Sequence, residues 1–279
     1  MCELFAMSSR IPTSVSFSFA AFSKHGGVTG PHKDGWGIAY FDGPDVHLFR
    51  ESDAAGNSAF VQFIRENRFV SNMVISHIRL ATQGEVALKN THPFARELGG
   101  RMHVFAHNGK LDGIHEDANI QLGRFKPVGD TDSEYAFCYL MGLMEPLWAG
   151  GRFPSLDERF DVISHFAATL RAFGPGNFLY ADSDVLFAHG HMRTQPDGRG
   201  IQPPGLYRLC RTCEKQVEHA HVDHLDIQGL DLGFTTDHQD VMLIASVPLT
   251  DEHWIPFAEG ELLALRAGVI VKQRSPIMV

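Results

Sequence analysis

A chain of 279 residues that is 44% hydrophobic can bury a sizeable core, either as one large domain or as two small ones. Its formal net charge of -9 argues against wholesale binding to a phosphate backbone, which needs clustered Lys and Arg to release counterions. A membrane span is also excluded: no run approaches the roughly 18 apolar residues required, and Val15 to Phe22 is broken by Ser16 and Ser18.

Met1 to Phe22 lacks the form of a signal peptide, because Glu3 stands in the n-region and no small-residue cleavage site follows. The expectation is a soluble cytoplasmic protein with no nucleic-acid or membrane partner. Cys2, Cys138, Cys210 and Cys213 are then free thiols by default.

In chain order, Cys2 to Met7, Gly35 to Phe41 and Val46 to Phe49 have strand chemistry, with His25 to Lys33 as a Gly/Pro/His loop. Phe60, Phe63 and Ile64 keep helical spacing after Asn57-Ser58, and alternation around Met73 to Ile78 predicts a strand. Met102 to Ala106 predicts another, running into the turn-forming His107-Asn108-Gly109. Thr131-Asp132-Ser133-Glu134 has the T-x-x-E form of a capping box, so a helix is expected from there to about Leu147. A second helix fits Leu156 to Phe173, stopped by Gly174-Pro175. Beyond it lie strand-like runs: Asn177 to Tyr180, Val185 to Ala188, Gly205 to Cys213, Val241 to Val247 and Glu261 to Lys272. Many strands with few helices predict an α+β fold, and the absence of a repeat or linker favours one domain over 1–279.

The chemistry begins at Cys2. Removal of Met1 would place a thiol and a free α-amine on one residue, and an amine with a reference pKa of about 7.7–8.0 can take the thiol proton near neutrality. Alone, a cysteine after the initiator is more simply the start of a buried strand. It has company, however. His77-Ile78-Arg79-Leu80-Ala81-Thr82-Gln83-Gly84, Asn90-Thr91-His92-Pro93-Phe94, Ala106-His107-Asn108-Gly109-Lys110 and Gly129-Asp130-Thr131-Asp132-Ser133-Glu134 follow in order.

This order resembles the class II glutamine amidotransferases, whose glutaminase domain reads Cys, then H-x-R-x-A-T-x-G, H-P-F, H-N-G and T-D-[ST]-E. The opening Met-Cys-Glu-Leu and Lys33-Asp34-Gly35-Trp36-Gly37 look closer to their stand-alone bacterial subgroup. The resemblance covers nearly all of the chain, and several weak motifs in one order are together specific.

The resemblance implies the four-layer αββα sandwich of the N-terminal nucleophile hydrolases. It further implies that Cys2 attacks the side-chain amide of glutamine, with Asn108 and the Gly109 backbone N–H as oxyanion hole. Arg79 would hold the substrate α-carboxylate and Asp132 its α-ammonium. His92 either lines the site or fixes a loop, and Thr82 is read the same way. Each has a plainer reading: Arg79 as a strand-end surface residue, Asp132 as a first-turn helix carboxylate, Asn108-Gly109 as a turn. The family often has Trp at Leu80 and His at Gln83, which leaves the substrate geometry open.

No cofactor or metal is expected. Cys210 and Cys213 with His219, His221 and His224 have the inventory of a zinc site, but on a strand residues three apart point to opposite faces. Cys138 reads as a small core residue. Three functions remain in view. The first is a γ-glutamyl or glutamine amidohydrolase. The second is a glutaminase subunit feeding ammonia to a separate synthase through a docking patch, and the third is a non-catalytic binding module. The first is favoured slightly over the second; whether the chain pairs as a homodimer is left open.

Overall fold

Strand β1 (Glu3–Ser14) carries apolar side chains on both faces, and this alone dictates a layered molecule. Leu4 and Ala6 join one core while Phe5 and Met7 join another, as the two-residue period of a strand requires. The structure is a computed structural model that describes residues 2–81, 84–195, 197–214, 225–227, 230–232 and 238–275. After β1 come α1 (Ser16–Lys24), β2 (Trp36–Asp42), β3 (Asp45–Glu51), α2 (Ala59–Asn67) and β4 (Val70–Ile78). Next are β5 (Phe94–Leu98), β6 (Arg101–Asn108), α3 (Asp132–Trp148), α4 (Leu156–Arg171), β7 (Asn177–Ala181) and β8 (Leu186–Gly190). The later elements are β9 (Arg193–Thr194), β10 (Ile201–Gln202), β11 (Tyr207–Glu214), β12 (Leu225–Ile227) and β13 (Leu230–Leu232). They close with β14 (His238–Ala245), β15 (Ile255–Pro256), β16 (Glu261–Arg266) and β17 (Val269–Arg274).

One sheet runs β15-β11-β14-β1-β4-β2-β3 and the other β17-β16-β8-β7-β6-β5. Leu4, Ala6 and Ile75 of the first meet Val104, Ala106 and Leu179 of the second in the layer between them. On the outer face of the first sheet, Phe19 and Phe22 of α1 and Val61 and Ile64 of α2 pack over Phe5 and Trp36. On the outer face of the second, Phe137 and Met141 of α3 and Phe160 and Phe166 of α4 pack over Phe105 and Phe178. The result is the expected α+β fold with four layers, αββα. Among the described residues no helix is long and apolar enough to cross a membrane.

Four details depart from the sequence reading. The Val15 to Phe22 stretch belongs largely to α1, whose short apolar run buries Phe19 and Phe22. In α2 the Ser58 hydroxyl accepts from Val61 N–H at 3.2 Å and sets the phase, so Val61 and Ile64 are inward while Phe60 and Phe63 are 52% and 46% exposed. β5 was not expected; it forms a hairpin with β6 across Gly99-Gly100, both at positive φ. Glu261 to Lys272 is two strands rather than one, because Ala267 and Gly268 take φ of 51° and 79° and turn the chain back. A Cβ on Gly268 would lie 2.1 Å from Asp240 O, so that corner admits only glycine.

Candidate active site

Cys2 lies at the head of a central strand, flanked by β4 and β14. The pairing Glu3↔Ile78 sets Cys2 beside the residues that leave β4, and Leu80 closes on the thiol from both sides. Leu80 N–H donates to Cys2 Sγ at 3.3 Å, and Sγ–H donates to Leu80 O at 3.4 Å. Asp34 holds that segment in place: its carboxylate accepts from Ala81 N–H at 2.8 Å, and its own N–H donates to Arg79 O. Burial pushes the thiol above its ordinary value; the Leu80 N–H and the Arg79 charge act against this, and Asp132 adds to it. Arg79 and Asp132 thus both lie within electrostatic range of Cys2. At neutral pH the resting sulfur is a thiol, so a nucleophile has to be made by proton transfer to a neighbouring base.

Asn108 ends β6 in the facing sheet and points into the same layer. Its Nδ2 donates to the Cys2 carbonyl and, at 3.3 Å, to Ser246 Oγ, while Oδ1 is buried without a partner among the described residues. Ser246 follows β14 and also accepts Leu4 N–H at 3.0 Å, tying the two strands beside Cys2 to the Asn108 amide. Asn177 supports the backbone, donating to Asn108 O at 2.9 Å. Gly109 is required by closeness: an added Cβ would lie 1.7 Å from Pro175 O. His107 braces the turn, with Nδ1 at 2.9 Å from Ser133 Oγ and Nε2 at 3.1 Å from Pro175 O.

Arg79 is nearly buried and donates Nη1 to Glu85 O at 2.9 Å and Nη2 to Gly84 O at 3.4 Å. Asp132 opens α3. One oxygen accepts Leu111 N–H at 2.7 Å and the other Ser133 N–H at 2.7 Å, so the carboxylate ties the 109–111 turn to the helix start. Thr131 caps α3 through Glu134 N–H at 3.2 Å, but only half of the expected box forms. The Glu134 carboxylate turns instead to Arg96 and to the N–H groups of Val128 and Gly129. Thr82 and Gln83 lie outside the described residues.

His92 is not at an exposed wall. Its ring lies between those of His77, 4.2 Å away, and Phe94, 4.4 Å away, tilted to both, and the nitrogens of both histidine rings are buried without partners among the described residues. Burial, then the charge of Arg79 on His77 and the neighbouring His77 ring on His92, hold both imidazoles neutral, far below the ordinary histidine range. Sequence reasoning missed Ser246, Asn177 and the support from Asp34. Asp34 sat in a quoted motif without a role, and Asn177 was read only as a strand start.

Among the described residues no cluster of His, Cys, Asp and Glu is arranged to hold a metal. Cys210 is exposed on β11, while the Cys213 side chain and His219, His221 and His224 lie outside the described residues. Cys138 is buried in the α3 core, and burial raises its thiol to about 11.

Residues 1–278 match the family described as glutamine amidotransferases class-II. The chain is 36% identical over 263 residues to the Escherichia coli protein named "Putative glutamine amidotransferase YafJ", spanning 94% of this chain and 96% of that one. It superposes on a crystal structure of a "predicted glutamine amidotransferase" from Pseudomonas aeruginosa with a TM-score of 0.67 and 31% identity, over 97% of this chain and 100% of that one. Glutamine phosphoribosylpyrophosphate amidotransferase from Bacillus subtilis shares 15% identity at a TM-score of 0.59, over 98% of this chain and 49% of that one. At that identity the likeness concerns the fold alone, the four-layer αββα arrangement.

Proposed function

Because the chain belongs to the class II glutamine amidotransferases, we propose that it is a single amidohydrolase domain in which Cys2 attacks the γ-amide of glutamine or of a γ-glutamyl compound. One observation carries this reading: the Asn108 side-chain amide, reaching across from the facing sheet, donates directly to the residue that bears the sulfur. Loss of Met1 would leave the Cys2 amine as the base that accepts the thiol proton. The thiolate adds to the amide carbon, and the oxygen that becomes negative is met by Asn108 Nδ2 and Gly109 N–H. The contact to Ser246 holds Nδ2 in place for this role. Collapse of the tetrahedral species breaks the C–N bond, the amine returns its proton to the leaving nitrogen, and ammonia departs. Water then cleaves the thioester, giving the γ-carboxylate and restoring the thiol.

Arg79 takes the substrate α-carboxylate and Asp132 its α-ammonium, Thr82 is a further substrate-binding residue, and His92, packed against His77 and Phe94, acts from the interior. Arg79 already donates to carbonyl oxygens, neutral acceptors that a carboxylate can replace with stronger, charge-assisted bonds. Hydrolysis of the amide with release of ammonia is the favoured reading. A second reading, ammonia delivery to a separate synthase, draws support from the half-exposed Phe60 and Phe63 on α2, an apolar pair suited to docking.

Intact-mass measurement with a glutamine-analogue inactivator tests the mechanism, together with ammonia release from glutamine and γ-glutamyl peptides. A species lacking Met1 that gains one adduct, lost in Cys2→Ala, is the expected result. Retained Met1 with no labelling would overturn it. Arg79→Ala should raise KM at least tenfold more than it lowers kcat.

A further inference from the structure

A second cleft, of about 630 Å³, opens on the outer side of the second sheet between the end of α4 and the 259–262 segment. Its floor is apolar and small-residued, with Ala167, Ala168 and Leu262, and its walls carry Arg171, His191 and Glu259. The charges there are incompletely matched. Arg171 Nη1 donates at 3.0 Å to His189 Nε2, and His189 Nδ1–H donates at 2.7 Å to Gly176 O, so the arginine leans on a neutral imidazole. Among the described residues no carboxylate lies within ion-pair distance of Arg171. Glu259 is the mirror case: it is more than half exposed, its contact within ion-pair distance among the described residues is His191 Nε2 at 3.5 Å, a ring that burial biases toward neutrality, and it acts on Arg171 only through space. Arg274, at the rim, is already paired with Asp161 at 2.9 Å.

One cation and one anion therefore face a common cavity, close enough to feel each other yet not joined in a direct ion pair. A simple anion would gain from Arg171 and lose to Glu259; a simple cation would do the reverse. A molecule with opposite charges at its two ends gains from both, and the volume suits something larger than one amino acid. We propose that this cleft binds a short zwitterionic peptide, with its carboxylate on Arg171 and its ammonium on Glu259.

The cleft is also wired to the oxyanion turn. Gly176 N–H donates to His191 Nδ1, His191 N–H donates to Asn177 Oδ1 at 2.7 Å, and Asn177 Nδ2 donates to Asn108 O. An occupant pressing on Arg171 or His191 therefore bears on the Pro175–Asn177 segment that fixes Asn108 and Gly109.

Calorimetric titration of the full chain with triglycine tests the proposal. Saturable binding is expected, weakened at least tenfold in Arg171→Met and, independently, in the exposed variant Glu259→Gln, and kept within twofold in Arg79→Lys. N-acetyl-triglycine amide, which lacks both charges, should not compete. No saturable binding would overturn the proposal, as would binding undiminished in either cleft variant or its loss in Arg79→Lys, which would place the peptide at the Cys2 site. Inorganic phosphate that binds the unchanged chain as tightly as triglycine does and displaces it would equally overturn it in favour of a plain anion site. A chain that hydrolyses no amide still gives the same titration, so failure of the amidase reading and failure of this one are told apart.

Discussion

Around Cys2 the individual side chains serve backbone groups first. Ser246 Oγ accepts Leu4 N–H and the Asn108 amide. Ser246→Ala leaves that buried N–H without its side-chain acceptor, at a cost of about 1–3 kcal/mol in urea unfolding. The same change should lower kcat more than it alters KM, and Ser246→Thr, which keeps the hydroxyl, should recover most of the rate. Unchanged kcat in Ser246→Ala would show that Asn108 is positioned by its other contacts alone. Gly109→Ala drives a Cβ into Pro175 O and forces the turn to move. Overpacking of this kind costs roughly 1–3 kcal/mol, and a displaced N–H should remove at least 100-fold of amidase activity. At this scale the sequence was legible where a motif is local, as with Asn108-Gly109. It was silent on Ser246, which meets Leu4 across 242 positions of chain.

Helices α3 and α4 show how two like signals diverge. Ser155 and Glu158 form a complete capping box on α4, so Ser155→Ala should cost about 1 kcal/mol. The same pattern on α3 recruits Glu134 elsewhere, because Arg96 and two backbone N–H groups lie within its reach and offer a buried carboxylate more than a cap would. Glu134→Gln is accordingly expected to cost about 1.5–3 kcal/mol, measured by the same unfolding curves. In the β16–β17 turn, Ala267 holds φ of 51° with a Cβ that resists it. Ala267→Gly should therefore raise stability by roughly 0.5–1 kcal/mol. The turn escaped sequence reading because Ala-Gly is a weaker hairpin signal than Asn-Gly or Asp-Gly, and the apolar run continues on both sides.

For the whole molecule, the buried histidines set the acid limit. Burial holds His103 down at about 4 and His189 at about 3, and keeps His77 and His92 well below the ordinary range. In the unfolded chain each binds a proton below about 6.5. The folded state cannot, so stability is intact above that value and falls as pH drops toward the folded pKa values. Each such group removes at most about 1.4 kcal/mol per pH unit below about 6.5. Thermal stability is therefore expected to fall as pH drops below about 6.5, with net proton uptake on unfolding; a melting temperature that stays flat from pH 7 to 4.5 would contradict this. By itself the sequence determined the α+β class, most strands, both long helices and the ordered set of Cys2, Arg79, Asn108, Gly109 and Asp132, because periodicity and motif order are properties of neighbours along the chain. Only the tertiary structure decided that Arg79 and Asp132 are first bound to backbone, that His92 is packed between His77 and Phe94 and that Arg171 and Glu259 share a cleft. Those facts depend on which strand ends meet across two stacked sheets, and pairings between residues far apart in the chain leave no local pattern to read.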